Sequence, residues 1–160
     1  MAVDMFLKID GIEGEAKDKK HGREVDVLAW SWGISNSGTM HMGGGGGSGK
    51  ANIQDLSITK YVDKASTKLM GVACDGSHIE EITLVVRKAG KKPLEYLTII
   101  MKECLITSYS TGGSGGEDRL TENMTINFAK FEVKYVPQKA DGSGDSPIPF
   151  GWNIEENSKL

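Results

Sequence analysis

The chain has 160 residues, a formal net charge of −3, 38% hydrophobic residues and 26% charged residues. A chain of this length suits a single domain, residues 1–160, that buries roughly 70% of its unfolded surface and needs no staples to hold a core. The slight acidic excess argues against the basic stripe that nucleic-acid binding requires. No stretch reaches the ~20 apolar residues of a membrane-spanning helix, so no membrane insertion is expected.

Val3, Met5, Leu7 and Ile9 alternate with Asp4, Phe6, Lys8 and Asp10, a period of two that predicts an opening strand with one aliphatic face. The same segment lacks the long apolar core of a signal peptide, so synthesis and folding in the cytoplasm are expected. Gly11 to Gly22 is charged and turn-rich and reads as a solvated loop. Arg23 to Ile34 is the next expected strand. Its alternation puts Leu28, Trp30 and Trp32 on a bulky core face and Val27, Ala29, Ser31 and Gly33 on a face of small side chains. A solvated face normally carries more charge than this second one does, so it suits a surface that something approaches closely.

Residues 37–52 form an extended glycine-rich loop around Met40-His41-Met42-Gly43-Gly44-Gly45-Gly46-Gly47-Ser48-Gly49-Lys50. From Gly44 to Lys50 the letters fit G-x-x-x-x-G-K, the loop that cradles phosphates in many nucleotide hydrolases. Ala51 stands where that motif needs a magnesium-binding hydroxyl, and the following Asn52 to Thr59 reads as strand where the motif needs a helix N-terminus. A soluble β-barrel binding a nucleotide or anion through Gly44–Lys50 is therefore the weaker alternative. Glycines are entropically costly to order, and an ordering partner is expected outside the loop's own domain.

Ile53 to Val62 is expected as a strand. Ser66 or Asp63 then caps a short helix through Leu69, Met70, Ala73 and Cys74, with Gly76 as its stop. Strands follow at Ile82–Arg87 and Leu94–Tyr109, then a second glycine-rich loop, Thr111–Asp118. The last long strand, Leu120 to Val136, slips phase near Ala129-Lys130, which predicts a bulge or bend. A polar linker leads to a short terminal strand from Phe150 to Ile154. Many strands and one helix make the chain all-β: a single β-barrel of two packed antiparallel sheets with one short α-helix.

Reactive chemistry is sparse. His21, His41 and His78 are dispersed and lack metal-helix spacing, and no serine sits in a G-x-S-x-G elbow. Cys74 and Cys104 form no C-x-x-C pair and read as buried thiols. Glu117-Asp118 beside Arg119 reads as a turn with a salt bridge or an oligomer contact. No catalytic residue, metal or cofactor is expected, and the chain is expected not to be an enzyme.

An ordered set of segments resembles the haemolysin-coregulated protein (Hcp) family, the tube protein of type VI secretion systems. These segments are Leu28–Gly33, Met40-His41-Met42 with its glycine run, Asp55–Tyr61, Ser110–Asn123 and Phe150–Ile154. The resemblance implies a homo-hexamer whose rings stack into a tube, and a lumen that binds and protects small effector proteins. It also implies work with contractile sheath and spike proteins, and export to the extracellular space or a target cell. It places Ser31 in the lumen, which makes Ala29, Ser31 and Gly33 the lumen or effector-binding candidates. A ring needs heterologous contacts that close under rotation. Met40, His41, Met42, Gly43, Gly44, Gly45 and Lys50 are the first subunit-interface candidates. Glu117, Asp118 and Arg119 are the second.

Overall fold

The computed structural model describes residues 2–38, 40 and 48–160. Among the described residues eleven strands and a helix follow in order: β1 (Val3–Ile9), β2 (Val25–Asp26), β3 (Ala29–Ser31), β4 (Ile34–Gly38), β5 (Ser48–Ile53), β6 (Leu56–Tyr61), α1 (Ser66–Asp75), β7 (Ile79–Lys88), β8 (Leu94–Gly112), β9 (Thr121–Tyr135), β10 (Ile148–Asn153) and β11 (Ser158–Lys159). All pairings are antiparallel, in the order β11-β10-β9-β8-β7-β1-β2, with β6 joining β9 to β3.

The expected all-β class with one helix holds. The sheet rolls on itself but is not closed by one continuous ladder. Its two edges meet at 25–31, which gives Val25 and Asp26 to β1 and Ala29–Ser31 to β6. Between these halves, the Val27 N–H donates to Met5 O and the Leu28 N–H to Thr59 O. The change of partner shifts the side-chain phase. Val25 and Val27 are buried, Leu28 is exposed, and Trp30 and Trp32 turn partly inward. The expected single strand with Leu28 in its core face is therefore corrected.

The long strands β8 and β9 pair along their length and bend together. The β9 half nearest Thr121 pairs with β6, and the half nearest Tyr135 pairs with β10, so the nine-stranded sheet branches at β9 rather than forming the two packed sheets expected. At the bend Phe128 and Phe131 both point inward, the phase slip expected at Ala129-Lys130. On β8 Met101 and Cys104 are buried in step, with Glu103 between them at φ 56°. In β8 the left-handed Glu103 lets two consecutive inward positions be separated by two residues rather than one.

The core gathers Leu7, Ile9, Leu56, Ile58, Leu69, Ile82, Leu84, Ile99, Met101, Met124, Ile126 and Phe131. Helix α1 covers one opening of it with Leu69, while Met70 and Cys74 face outward. Gly76, at φ 70°, ends the helix in the left-handed conformation as expected. Asp63 and Ser66 shape the entry without acting as a side-chain N-cap: the Asp63 N–H donates to Ser66 Oγ (2.9 Å) and the Ala65 N–H to Asp63 Oδ1 (3.0 Å). Of the two cysteines, Cys104 is buried as expected and Cys74 is exposed; both are free.

The segment expected as a solvated loop, Gly11 to Gly22, is mostly exposed but buries Gly14, Ala16 and His21. The His21 ring stacks on Phe6 at 4.5 Å, and its two nitrogens meet Glu24 and Glu95. Phe6 is buried beneath this cover although the alternation of β1 sends it outward. Arg87 clasps the segment through Asp18, with bonds of 3.1 and 2.6 Å.

Candidate functional site

Strands β3, β6, β9 and β8 present a continuous face opposite the core. Register fixes its rows. Ser31 stands beside Ser57, Ser57 beside Thr125, and Thr125 beside Ser108. In the next row Ala29 stands beside Thr59, Thr59 beside Asn123, and Asn123 beside Ser110. The alternation of β6, with Leu56, Ile58 and Lys60 buried, sends its serine and threonine to this side. In β9 Glu122, Met124 and Ile126 point inward and Asn123 and Asn127 outward.

Neighbouring side chains satisfy one another across the rows. The Thr59 hydroxyl donates to Asn123 Oδ1 (2.7 Å), and the hydroxyls of Ser108 and Thr125 lie 2.6 Å apart. At one end Asp55 accepts from the Thr107 hydroxyl (2.6 Å) and the Asn127 amide (2.8 Å). The rows themselves contain only neutral side chains, so beyond the Asp55 carboxylate at one end they exchange hydrogen bonds with water or a passing chain without a charge of their own.

Beneath one end lies an ionic network. Lys60 and Glu122 are both fully buried and joined as an ion pair, Lys60 Nζ to Glu122 Oε1. Lys60 Nζ also donates to Asp63 Oδ1 and to the Tyr61 carbonyl, each at 3.0 Å. Glu122 accepts further bonds from the Ser66 hydroxyl (2.8 Å) and the Tyr109 hydroxyl. Each charge thus has several partners, the condition under which a buried pair is tolerated. The network ties β6 and β9 to the start of α1, directly behind the polar rows. Sequence reading missed it because both residues sit at inward parity in strands whose ends alone looked charged.

The predicted site residues are dispersed among these features. Ala29 and Ser31 are exposed on the polar face. Gly33 is off the rows and partly covered; a Cβ there would lie 2.9 Å from Gln54 Oε1. Lys50 is exposed in β5, and Met40 is 78% exposed. His41, Met42, Gly43, Gly44 and Gly45 lie outside the described residues. Strands β4 and β5 form a hairpin separate from the main sheet, with Gly38 beside Ser48, and all of β4 is exposed. The loop expected over 37–52 is thus corrected at both ends, where 37–38 and 48–52 belong to the hairpin, while the strand expected from Ile53 to Val62 corresponds to β6, with Ile53 closing β5. Because Lys50 is in a strand, no helix N-terminus follows it to receive a phosphate. Glu117, Asp118 and Arg119 lie together in an exposed loop, where the Arg119 guanidinium sits 3.7 Å over the Tyr61 ring.

No group of three or more histidine, cysteine or acidic side chains that could hold a metal ion occurs among the described residues. No helix is long and apolar enough to cross a membrane among them. Of the serine and threonine residues of the polar face, Ser31 is singled out by the sequence, whereas Ser57, Thr59, Ser108, Ser110 and Thr125 are not.

Comparison with known proteins completes the picture. Residues 6–135 match the family model for "Type VI secretion system effector, Hcp". The chain is 60% identical over 159 residues to Protein hcp1 of Pseudomonas aeruginosa, covering 98% of each chain. A solved type six secretion system protein superimposes with a TM-score of 0.94 at 31% identity, over 99% of this chain and 100% of the other. Hcp1 from Salmonella typhimurium superimposes with a TM-score of 0.83 at 37% identity, over 100% of both chains. The chain belongs to the Hcp family of type VI secretion system proteins.

Proposed function

We propose that this chain is a structural subunit that forms hexameric rings, and that the rings stack into a tube. The neutral hydroxyl and amide face is the observation that carries the reading. A conduit needs an inner wall that is wetted but holds nothing tightly, and the rows from Ser31 to Ser108 supply hydrogen-bonding groups without charge. On this reading the face lines the lumen, where small effector proteins are bound and protected. The tube is made in the cytoplasm, engages sheath and spike proteins, and leaves the cell with its cargo. Its work is assembly and carriage rather than catalysis.

The exposed β4–β5 hairpin supports the same reading. A two-stranded hairpin on its own is marginal in water, and a neighbouring subunit would supply the packing it lacks. Lys50 and Met40 stand on this hairpin and its tip, so they remain interface candidates with the residues from His41 to Gly45.

Gold labelling tests the placement. In a Cys74→Ser background, Ser31→Cys is coupled to a maleimide-gold particle and imaged by electron microscopy. Label inside the central hole of a ring supports the assignment. Label on the outer rim, or particles without a hole, contradicts it.

A further inference from the structure

Phe6, Ala16 and Val85 are buried but lie outside the main core. Phe6 on β1 stands beside Val85 on β7, at the outward parity of both strands. Segment 11–24 is their cover, and such small satellite clusters are typical of the space beneath a long connection. The segment folds on itself: the Ala16 N–H donates to Glu24 O (2.9 Å) and the Arg23 N–H to Ala16 O (2.8 Å). Side chains then pin it to the sheet, Asp18 to Arg87 on β7 and His21 to Glu95 on β8. It is a strap with a small apolar contact and charged fastenings.

The His21 fastening has one chemical requirement. Its side chain is 9% exposed and stacks on Phe6 with the ring planes 13° apart. Nδ1 lies 3.0 Å from Glu24 Oε2 within the strap, and Nε2 lies 2.6 Å from Glu95 Oε1. Burial opposes ionisation of Glu95, but the hydrogen bonds from His21 and Lys20 hold its carboxyl below the usual range. A carboxylate only accepts, so a ring nitrogen facing one must donate, and a ring that donates at both nitrogens is the imidazolium. Once the proton is lost, one nitrogen turns a lone pair toward a carboxylate with little water to intervene, and a hydrogen bond to a charged group is gone. The surrounding charges favour the cation. Lys20 reaches the same Glu95 oxygen at 3.2 Å, and Arg87, over the Phe6 ring, is held by Asp4 and Asp18. Asp4, Asp18, Glu24 and Glu95 thus outnumber Lys20 and Arg87 around the ring.

We infer that His21 is a proton-dependent pin: the 11–24 strap stays closed over Phe6 and Val85 while the ring is charged, and opens locally when the ring loses its proton. Local opening needs less free energy than unfolding where few apolar contacts are at stake, as they are under this strap. Closure favours the protonated ring, so its stability is full at the low-pH side and declines as pH rises through the titration of the ring in the closed form. The Asp18–Arg87 contact has the opposite sign and is lost in acid, so the strap is fastened at both points only over a bounded pH range. Once open, the strap uncovers Phe6 and Val85 as an apolar patch on the outward side of the sheet. The inference concerns the fold of each subunit and does not depend on the ring assembly proposed above.

Two measurements on the full chain test it together, from pH 6 upward until the ring has titrated. Nitrogen-15 NMR of histidine-labelled protein follows the His21 ring, and hydrogen exchange, corrected for the intrinsic rate at each pH, follows the backbone. The ring is expected to carry a proton on both nitrogens at pH 6. As it titrates, protection of the strap amides is expected to fall at least about tenfold, the change that accompanies a one-unit difference in titration between closed and open strap. Amides of β8 and β9 are expected to keep their protection. His21→Gln, which cannot titrate, is expected to show level strap protection over the same range. So is the double variant Glu24→Gln with Glu95→Gln, whose amides can both donate to and accept from a neutral ring. A ring already neutral at pH 6, strap protection that stays level while the wild-type ring titrates, or a fall shared by β8 and β9 overturns the inference. A pH-dependent fall that persists in His21→Gln does the same, and the wild-type measurement decides by itself where a variant does not fold.

Discussion

Lys60 and Glu122 form an ion pair with no solvent access to either side chain. Removing one partner strands the other charge in the core, which costs about 3–5 kcal/mol, whereas replacing both with apolar residues of similar volume costs far less. Lys60→Met and Glu122→Leu are each expected to unfold at markedly lower urea concentration, and the double variant to recover most of the loss. Urea titrations at fixed protein concentration measure this. Losses that simply add would mean that the two charges do not depend on each other.

The Arg87–Asp18 clasp gives a signature in acid. The hydrogen bond from Arg87 holds the Asp18 carboxyl well below its ordinary 3.8, against the opposing effect of burial. A depressed carboxyl stabilises the fold above its unfolded value and loses that contribution as pH falls through the folded one. The contribution is therefore full above about pH 4 and declines below it. Asp18→Asn is expected to lower the melting temperature at pH 7 and to flatten its fall below pH 4. Thermal unfolding followed by circular dichroism from pH 7 to pH 2 compares the two slopes; parallel curves would refute the clasp's role.

The cysteines should react unequally. Burial pushes the Cys104 thiol up to about 12, which leaves almost no thiolate at neutral pH, while Cys74 is exposed on α1. Iodoacetamide at pH 8 is expected to add once to the native protein, at Cys74, and twice after denaturation. Mass spectrometry of the peptides identifies the sites. Rapid native alkylation of Cys104 would show that the core opens there.

Ser31 tests the inner wall. Ser31→Gln adds bulk to an exposed strand position without disturbing buried neighbours, so rings are expected to form normally while a co-expressed lumenal effector is retained less well. Paired ring-mass and co-purification measurements separate the two effects. Lost rings with unchanged effector retention would place Ser31 at a subunit contact instead.

Much of this molecule is legible in its sequence because period-two alternation is a direct consequence of the pleat. The inward parity of β6 and β9, the helix ending at Gly76 and the bend at Ala129-Lys130 all follow from local pattern. What the sequence conceals depends on partners distant along the chain. Leu28 is exposed because segment 25–31 changes neighbour halfway, from β1 to β6. Phe6 is buried because His21 is stacked on it. The face containing Ser31 is recognisable as small from its own strand, but its extent appears only once the registers with Thr59, Asn123 and Ser108 are known. Lys60 and Glu122 look like surface charges until pairing of β6 with β9 sets them together.

Assembly is the claim on which the rest depends. Multi-angle light scattering of the wild-type protein at micromolar concentration is expected to give a mass near 104 kDa (6 × 17.3 kDa). A stable species of 17.3 kDa under those conditions would contradict the account.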